Sequence, residues 1–352
     1  MIDFIDTAMQ LSRMMSLSGS EYRAEESLVS LFGGYFDEWE RDVLGNYIFH
    51  KRAATENAPK LMIDAHFDAV GLMVYEVTKE GNLKVVSVGG VDSKVLPAAE
   101  VTIHADEDIY GVVMAKPPHL LKGGERTKVI STDELLIDTG YTKDEIADIG
   151  VDIGTPVSFR YPPMRLKNGR AVGCAFDDKA CVAAGLLAFD MMKESGEESL
   201  FDTYFVVSAG EETGMSGAEK AAYKIKPDLA LILDVGFASS PDSPEENSVA
   251  PLGSGAVVSV SAATSVSLTR RMMKICEREG IKYTVSAEAA GTGSNADRVP
   301  LVECGIDAVL LGIPLRSMHT EGEVIDEADG YELAKLVAAV MKDSETEEYY
   351  HE

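Results

Sequence analysis

Apolar positions along this chain follow two rhythms, and the change between them divides it. Near the start, Phe4 to Met15 and Tyr22 to Phe36 repeat apolar residues at helical spacing, and Lys60-Leu-Met-Ile-Asp64 is a short apolar run that predicts a buried strand. From about Leu72 to Arg165 the pattern changes to short alternating runs broken by Gly, Pro and Asp, such as Leu83-Lys-Val-Val-Ser-Val88, Glu100-Val-Thr-Ile-His104, Tyr110-Gly-Val-Val-Met114 and Pro156-Val-Ser-Phe-Arg160. After Gly173 helices and strands alternate. Helices are predicted over Asp178–Glu194, from Ser216, over Ser267–Glu279 and over Glu327–Met341, with strands at Thr203–Ser208, Leu229–Asp234, Ala256–Val260 and Ala308–Gly312. The expected organisation is an α/β core, residues 1–70 plus 167–352, interrupted once by a β-rich insert at 71–166.

Composition narrows the class. At 352 residues with 45% apolar and 26% charged side chains, the sequence is that of a folded globular protein. Its 59 acids against 32 bases leave a net charge of −27, which repels phosphate backbones and anionic lipid surfaces, so neither nucleic acid nor membrane is an expected partner. The first residues carry acids and lack a signal peptide's basic start and long apolar core, and no run is long enough to span a bilayer; the default expectation is the cytoplasm. Cys174, Cys181, Cys276 and Cys304 have no metal or redox spacing and read as reduced thiols. The acidic tail from Asp343 to Glu352 reads as a solvated end, with Tyr349-Tyr350 able to dock on a neighbour.

Chemistry gathers where the core strands stop. His66 and Asp68 follow the strand at 60–64, Glu211 and Glu212 follow the strand at 203–208, Asp234 ends the strand at 229–233, and His319 comes shortly after 308–312. Open α/β sheets place their sites at these ends. Adjacent glutamates cannot be the acid and base of a glycosidase, which face each other across roughly 5 to 9.5 Å of sugar. A metal ligand beside a general base fits them better. Asp177-Asp178 precedes a helix, where Asp178 could equally be an N-cap. Two His and several carboxylates without a cysteine suit Zn²⁺ or Co²⁺. The count matches two divalent ions, with Asp177 as the bridge, His66 and Asp234 on one ion and Glu212 and His319 on the other. Glu211 is then free as proton acceptor and donor, and Asp68 could hold the second imidazole nitrogen of His66.

His66-Phe-Asp68-Ala-Val-Gly71, Phe176-Asp-Asp-Lys-Ala180, Gly210-Glu-Glu-Thr-Gly214, Leu233-Asp-Val-Gly236 and Met318-His-Thr320 resemble, in order and spacing, the signatures of the tetrahedral (TET) aminopeptidases, dinuclear metallopeptidases that include glutamyl aminopeptidases and proteins once labelled endoglucanase or cellulase M. Phrases within the insert, Gly111–Leu120 and Leu136–Gly140, extend the resemblance over essentially the whole chain. It implies a mixed-sheet α/β/α metallopeptidase core, a β-barrel-like insert used for dimer contacts, a cis Asp177–Asp178 peptide, the same metal and base assignments, and dimers assembling into a hollow dodecamer that takes short peptides. The sequence departs from that pattern at Lys179 (usually Arg), at Ser294-Asn295 within a usual Gly-Gly-Thr-Asp-Ala phrase, at Ser317 (usually Tyr) and at Glu321 (usually Pro). These changes spare the ligands and bear on substrate choice.

The reading is therefore a metal-dependent aminopeptidase. Its rivals are another dinuclear amidohydrolase, a carboxypeptidase or deacylase, and a catalytically silent self-assembling homologue. Of the remaining histidines, His50 and His104 read as structural, His119 as a structural or interface residue, and His351 lies in the tail.

Overall fold

The structure, a computed structural model, describes residues 1–120, 123, 129–241, 250–289 and 291–351. Its centre is four parallel strands, β12 (Asp202–Ser208), β3 (Lys60–His66), β13 (Leu229–Phe237) and β16 (Asp307–Leu315), in that order across the sheet. Beyond β12 lie the antiparallel β2 (Tyr47–Lys51) and β1 (Glu38–Arg41). Beyond β16 lie β14 (Ala256–Ser261), antiparallel to it, and β15 (Tyr283–Glu288), parallel to β14. The result is a mixed eight-stranded sheet among the described residues.

Both faces of this sheet are covered, which is why its central strands read as unbroken apolar runs. Leu61, Ile63, Leu229, Leu231, Phe205 and Val207 point to one face, packed by α1 (Phe4–Ser12), α4 (Phe176–Ser195), α6 (Val266–Glu279) and α7 (Glu327–Met341). The intervening Met62, Ala230, Ile232 and Val206 meet α5 (Ser216–Ile225) on the other. The period of two along each strand thus assigns every residue to a layer.

The insert closes a separate six-stranded barrel. Strands β4 (Gly71–Val77), β5 (Leu83–Val88), β8 (Leu136–Asp138), β7 (Asp108–Val113), β6 (Glu100–His104) and β9 (Pro156–Phe159) follow one another around it, and every pairing is antiparallel. Its own core includes Leu72, Val74, Val85, Val101, Ile103 and Val157. A small sheet of β10 (Met164–Arg165), β11 (Arg170–Gly173) and β17 (Glu323–Asp326) returns the chain to the α/β layers. The fold class expected from the pattern is the one observed.

Some elements differ from the expected ones. Strand β13 runs on to Phe237, so Asp234 lies within it. The strand β1 was not legible because Glu-Trp-Glu-Arg has no apolar alternation and all four residues are exposed. The acidic tail is docked: residues Ser344–His351 form helix α8, the Tyr350 hydroxyl donates to Asp307 over 2.7 Å, and Arg278 holds Asp343 at 2.7 Å. Glu352 lies outside the described residues. Among the described residues no helix is long and apolar enough to cross a membrane.

Helix α4 meets a side chain of β12 at Gly185, where an added Cβ would stand 2.5 Å from Cζ of Phe205. That ring stacks on Phe32 and Phe189, with centroids 5.7 and 5.8 Å away, and has no room to retreat. In Gly185→Ala the better helix propensity gains about 1 kcal/mol, whereas overpacking a filled core costs roughly 1–3 kcal/mol. The expected outcome is a net loss of stability, seen as a thermal unfolding midpoint a few degrees lower.

Candidate metal centre and active site

The C-terminal ends of β12, β3 and β13 come out on the same side of the sheet, and six of the sequence-selected side chains meet there. His66 closes β3, Asp234 projects from β13, Glu211 and Glu212 sit in the turn after β12, Asp177 lies in the first turn of α4, and His319 comes from the loop after β16. Asp177 is the hub. Its Oδ1 is 3.1 Å from Nε2 of His66 and its Oδ2 is 3.2 Å from Nε2 of His319. Glu212 Oε1 is 3.3 Å from the same His319 nitrogen, and Asp234 Oδ1 is 3.9 Å from Nε2 of His66. Among the described residues three groups of possible donor atoms, His66-Asp177-Asp234, Asp177-Glu212-His319 and His66-Glu211-Glu212, each lie within 4.8 Å of one another, and Asp177 belongs to the first two. N and O donors in that arrangement suit a pair of borderline divalent cations.

Electrostatics agree with the donor count. Burial pushes Asp178 and Asp234 well above the ordinary carboxyl range and Glu211 up to about 7. Burial alone would also raise Asp177, but the imidazoles of His319 and His66 outweigh it and hold it at about 2. His319, bonded to Asp177 and Glu212, is raised to about 11. Asp178, Asp234, Glu211 and His319 thus favour their protonated forms, as groups in a carboxylate-rich cluster short of positive charge do. Dications would supply that charge and release those protons.

Backbone geometry fixes the donors. The Asp177–Asp178 peptide is cis, and α4 starts from Ala175 in the left-handed region, φ 55°, with no side-chain N-cap; Asp178 is fully buried and does not cap the helix. His319 has φ 60°. Few non-glycine residues rest there unless their surroundings hold them. Here Glu323, itself buried, accepts the His319 N–H at 2.9 Å and those of Phe176 and Asp177 at 2.7 and 3.1 Å. One carboxylate therefore ties both sides of the Asp177–His319 pair together.

Asp68 acts through different atoms from those expected. Its backbone carbonyl takes Nδ1 of His66 at 3.0 Å, while its carboxylate, 3.6 Å from that nitrogen, accepts the N–H groups of Glu211 and Glu212 at 3.0 and 3.2 Å. It positions the two glutamates as much as the imidazole. Lys179 is buried and donates to the carbonyl of Met14 at 2.8 Å, with burial lowering it to about 8. The Asn295 amide donates to Asp64 at 2.8 Å and to Ser208 at 3.1 Å, so at this place the carboxylate is carried by Asp64. His50 bridges Glu38 and Asp202, and His104 bridges Asp108 and Ser158.

The barrel also reaches the site. After β5 the chain carries Gly89-Gly90 past Glu212 and His319, and the Gly90 carbonyl lies 3.1 Å from Nδ1 of His319. That bond places the proton on Nδ1 and leaves Nε2 facing Asp177 and Glu212. Neither Gly90 nor Glu323 was selected from the sequence; the glycine pair signalled a turn, and nothing in it indicated which residue the turn would cover. A Cβ on Gly90 would stand 2.9 Å from that Nδ1. Gly90→Ala should displace the ring and weaken divalent-cation binding by about 10- to 100-fold, measured by titration calorimetry with Zn²⁺, while the far-ultraviolet circular dichroism stays unchanged.

Comparison with known proteins gives the same picture. Residues 45–336 match the family described as M42 glutamyl aminopeptidase. The lysyl aminopeptidase of Pyrococcus furiosus is 31% identical over 93% of each chain. The structure of an aminopeptidase from the archaeon Desulfurococcus kamchatkensis superposes with a TM-score of 0.91 at 29% identity, covering 99% of this chain and 96% of its own. That of PhTET1-12s, a dodecamer, superposes with a TM-score of 0.83 at 25% identity, covering 97% of this chain and 99% of its own. With the match spanning most of the sequence and the same fold throughout, this chain belongs to the M42 glutamyl aminopeptidase family and is a peptide-bond hydrolase of the aminopeptidase type.

Proposed function

We propose that the protein removes residues one at a time from the free amino end of short peptides, using a dinuclear metal centre with Glu211 as general base. The observation that carries this reading is Asp177, whose two oxygens face two different imidazoles at 3.1 and 3.2 Å. A carboxylate so placed suits a bridge between two cations. His66 and Asp234 complete one donor group, and Glu212 and His319 the other. Bound Zn²⁺ or Co²⁺ would polarise the scissile carbonyl and make a coordinated water acidic enough to attack at neutral pH.

Everything else falls to the chain itself. Glu211 lies outside the two groups that share Asp177, although it forms a third with His66 and Glu212; its Oε2 is 3.9 Å from Nε2 of His66, and its buried Oε1 has no hydrogen-bond partner among the described residues. It is free to accept the proton of the attacking water and pass it to the leaving amine. Asp68 holds the Glu211 amide so that the carboxylate keeps its aim. A cavity of about 310 Å³ beside Glu211 gives the N-terminal residue a place. The dodecameric relative and exposed apolar side chains on the insert, Tyr110 and Ile153, support an assembly in which residues 71–166 form dimer contacts and dimers build a dodecamer.

Glu211→Gln should retain both metals by elemental analysis and lose about 10²- to 10⁴-fold in kcat; a near wild-type rate would remove Glu211 from its role. His66→Ala and Asp234→Ala should lose metal. Chelation should abolish release of amino acids from free-amine peptides, and Zn²⁺ or Co²⁺ should restore it. N-acetylated peptides should resist cleavage; if they were cut as readily, a deacylase or another amidohydrolase would take the aminopeptidase's place.

A further inference from the structure

The cavity beside Glu211 contains one carboxylate that the metal centre does not use. Asp177, Glu212 and Asp234 belong to the donor groups and Glu211 to the proton transfer, which leaves Glu288. It sits on β15, the strand on the far edge of the sheet from β1, while the metal donors cluster around β3 and β13.

The wall between is mostly aliphatic. Val257 and Ser259 of β14 pair with Gly312 and Leu310 of β16, so alternation turns these positions to one face. Ser286 of β15 lies beside Ser259, and Glu288, two residues on, shares its face. Val257 and Leu310 line the near part of the cavity. At the far part, the buried hydroxyls of Ser259 and Ser286 are 2.9 Å apart, and that of Ser286 is 3.4 Å from Oε1 of Glu288. Among the described residues no lysine or arginine lines the cavity, and Glu288 has no cationic partner. The volume, about 310 Å³, lies at the low end of small-molecule sites and suits a single residue.

We infer that this cavity receives the side chain of the substrate's N-terminal residue and that Glu288 selects a basic one, lysine or arginine. This rests on the aminopeptidase reading above. The aliphatic stem of such a residue lies along Val257 and Leu310, and its cation meets Glu288 at the end. A purely apolar side chain fills the near part and leaves the carboxylate unpaired. A glutamyl side chain, the one named in the family's description, brings like charge against Glu288 and is rejected.

The discriminating pair is lysine and norleucine, which share a stem of the same carbon count and differ at the ammonium. With the metal-loaded enzyme, kcat/KM for a lysyl anilide should exceed that for the norleucyl anilide by about tenfold or more, the range of one hydrogen bond to a charged group. Glu288→Gln should bring that ratio toward one, and Glu288→Lys should turn the preference from lysyl to glutamyl anilide. Calorimetry of free L-lysine against free L-norleucine on the holoenzyme should show the same ranking without turnover. Release of norleucine as readily as lysine, or a lysyl preference that survives Glu288→Gln, overturns the assignment of Glu288 and leaves the aminopeptidase reading standing. Failure to cleave any free-amine substrate overturns both.

Discussion

The molecule is organised around a concentration of negative charge where water is scarce. Asp177, Glu211, Glu212 and Asp234 converge at the ends of parallel strands, and burying carboxylates without cations is among the costliest arrangements available to a fold. Only a rigid frame keeps such groups together. Here the sheet supplies the frame: each strand end is fixed by its register to a neighbour, with Ser208 beside His66 and Asp234 beside Gly312. A Cβ on Gly312 would stand 1.7 Å from the Asp234 carbonyl oxygen, a sign of how closely the strands that bear the donors are set.

Around that frame the chain uses backbone amides to spread the charge. Asp68 takes two N–H groups from the glutamate turn, and Glu323 takes three from the segments that carry Asp177 and His319. These carboxylates bond to backbone N–H groups. They turn two flexible connections into fixed ones, which lets a loop histidine serve as reliably as one on a strand.

Much of this was readable in the sequence, and the failures share a cause. His66, Glu211, Glu212 and Asp234 could be found because each follows or interrupts an apolar run, and the run sets both the strand and its end. Asp68 was found by spacing, but spacing does not say whether the carbonyl or the carboxylate makes the contact; each does a different task. Asn295 read as a lost charge because its neighbour Asp64, 231 residues away in sequence, belongs to an apolar run that signals only a strand. Gly90 and Glu288 act across elements whose packing no local pattern encodes. The barrel's alternation was legible; where its rim would come to rest was not.

The bond between the Gly90 carbonyl and His319 has a consequence for biosynthesis. His66 leaves the ribosome first and His319 about 250 residues later, with the whole barrel between His66 and Asp177. Domains generally fold as units in the order of their synthesis. An emerging chain can therefore hold a finished barrel and still lack four of the five candidate donors, and the final loop then meets a rim already in place. A chain built in this order has no complete donor cluster until nearly all of it has been made.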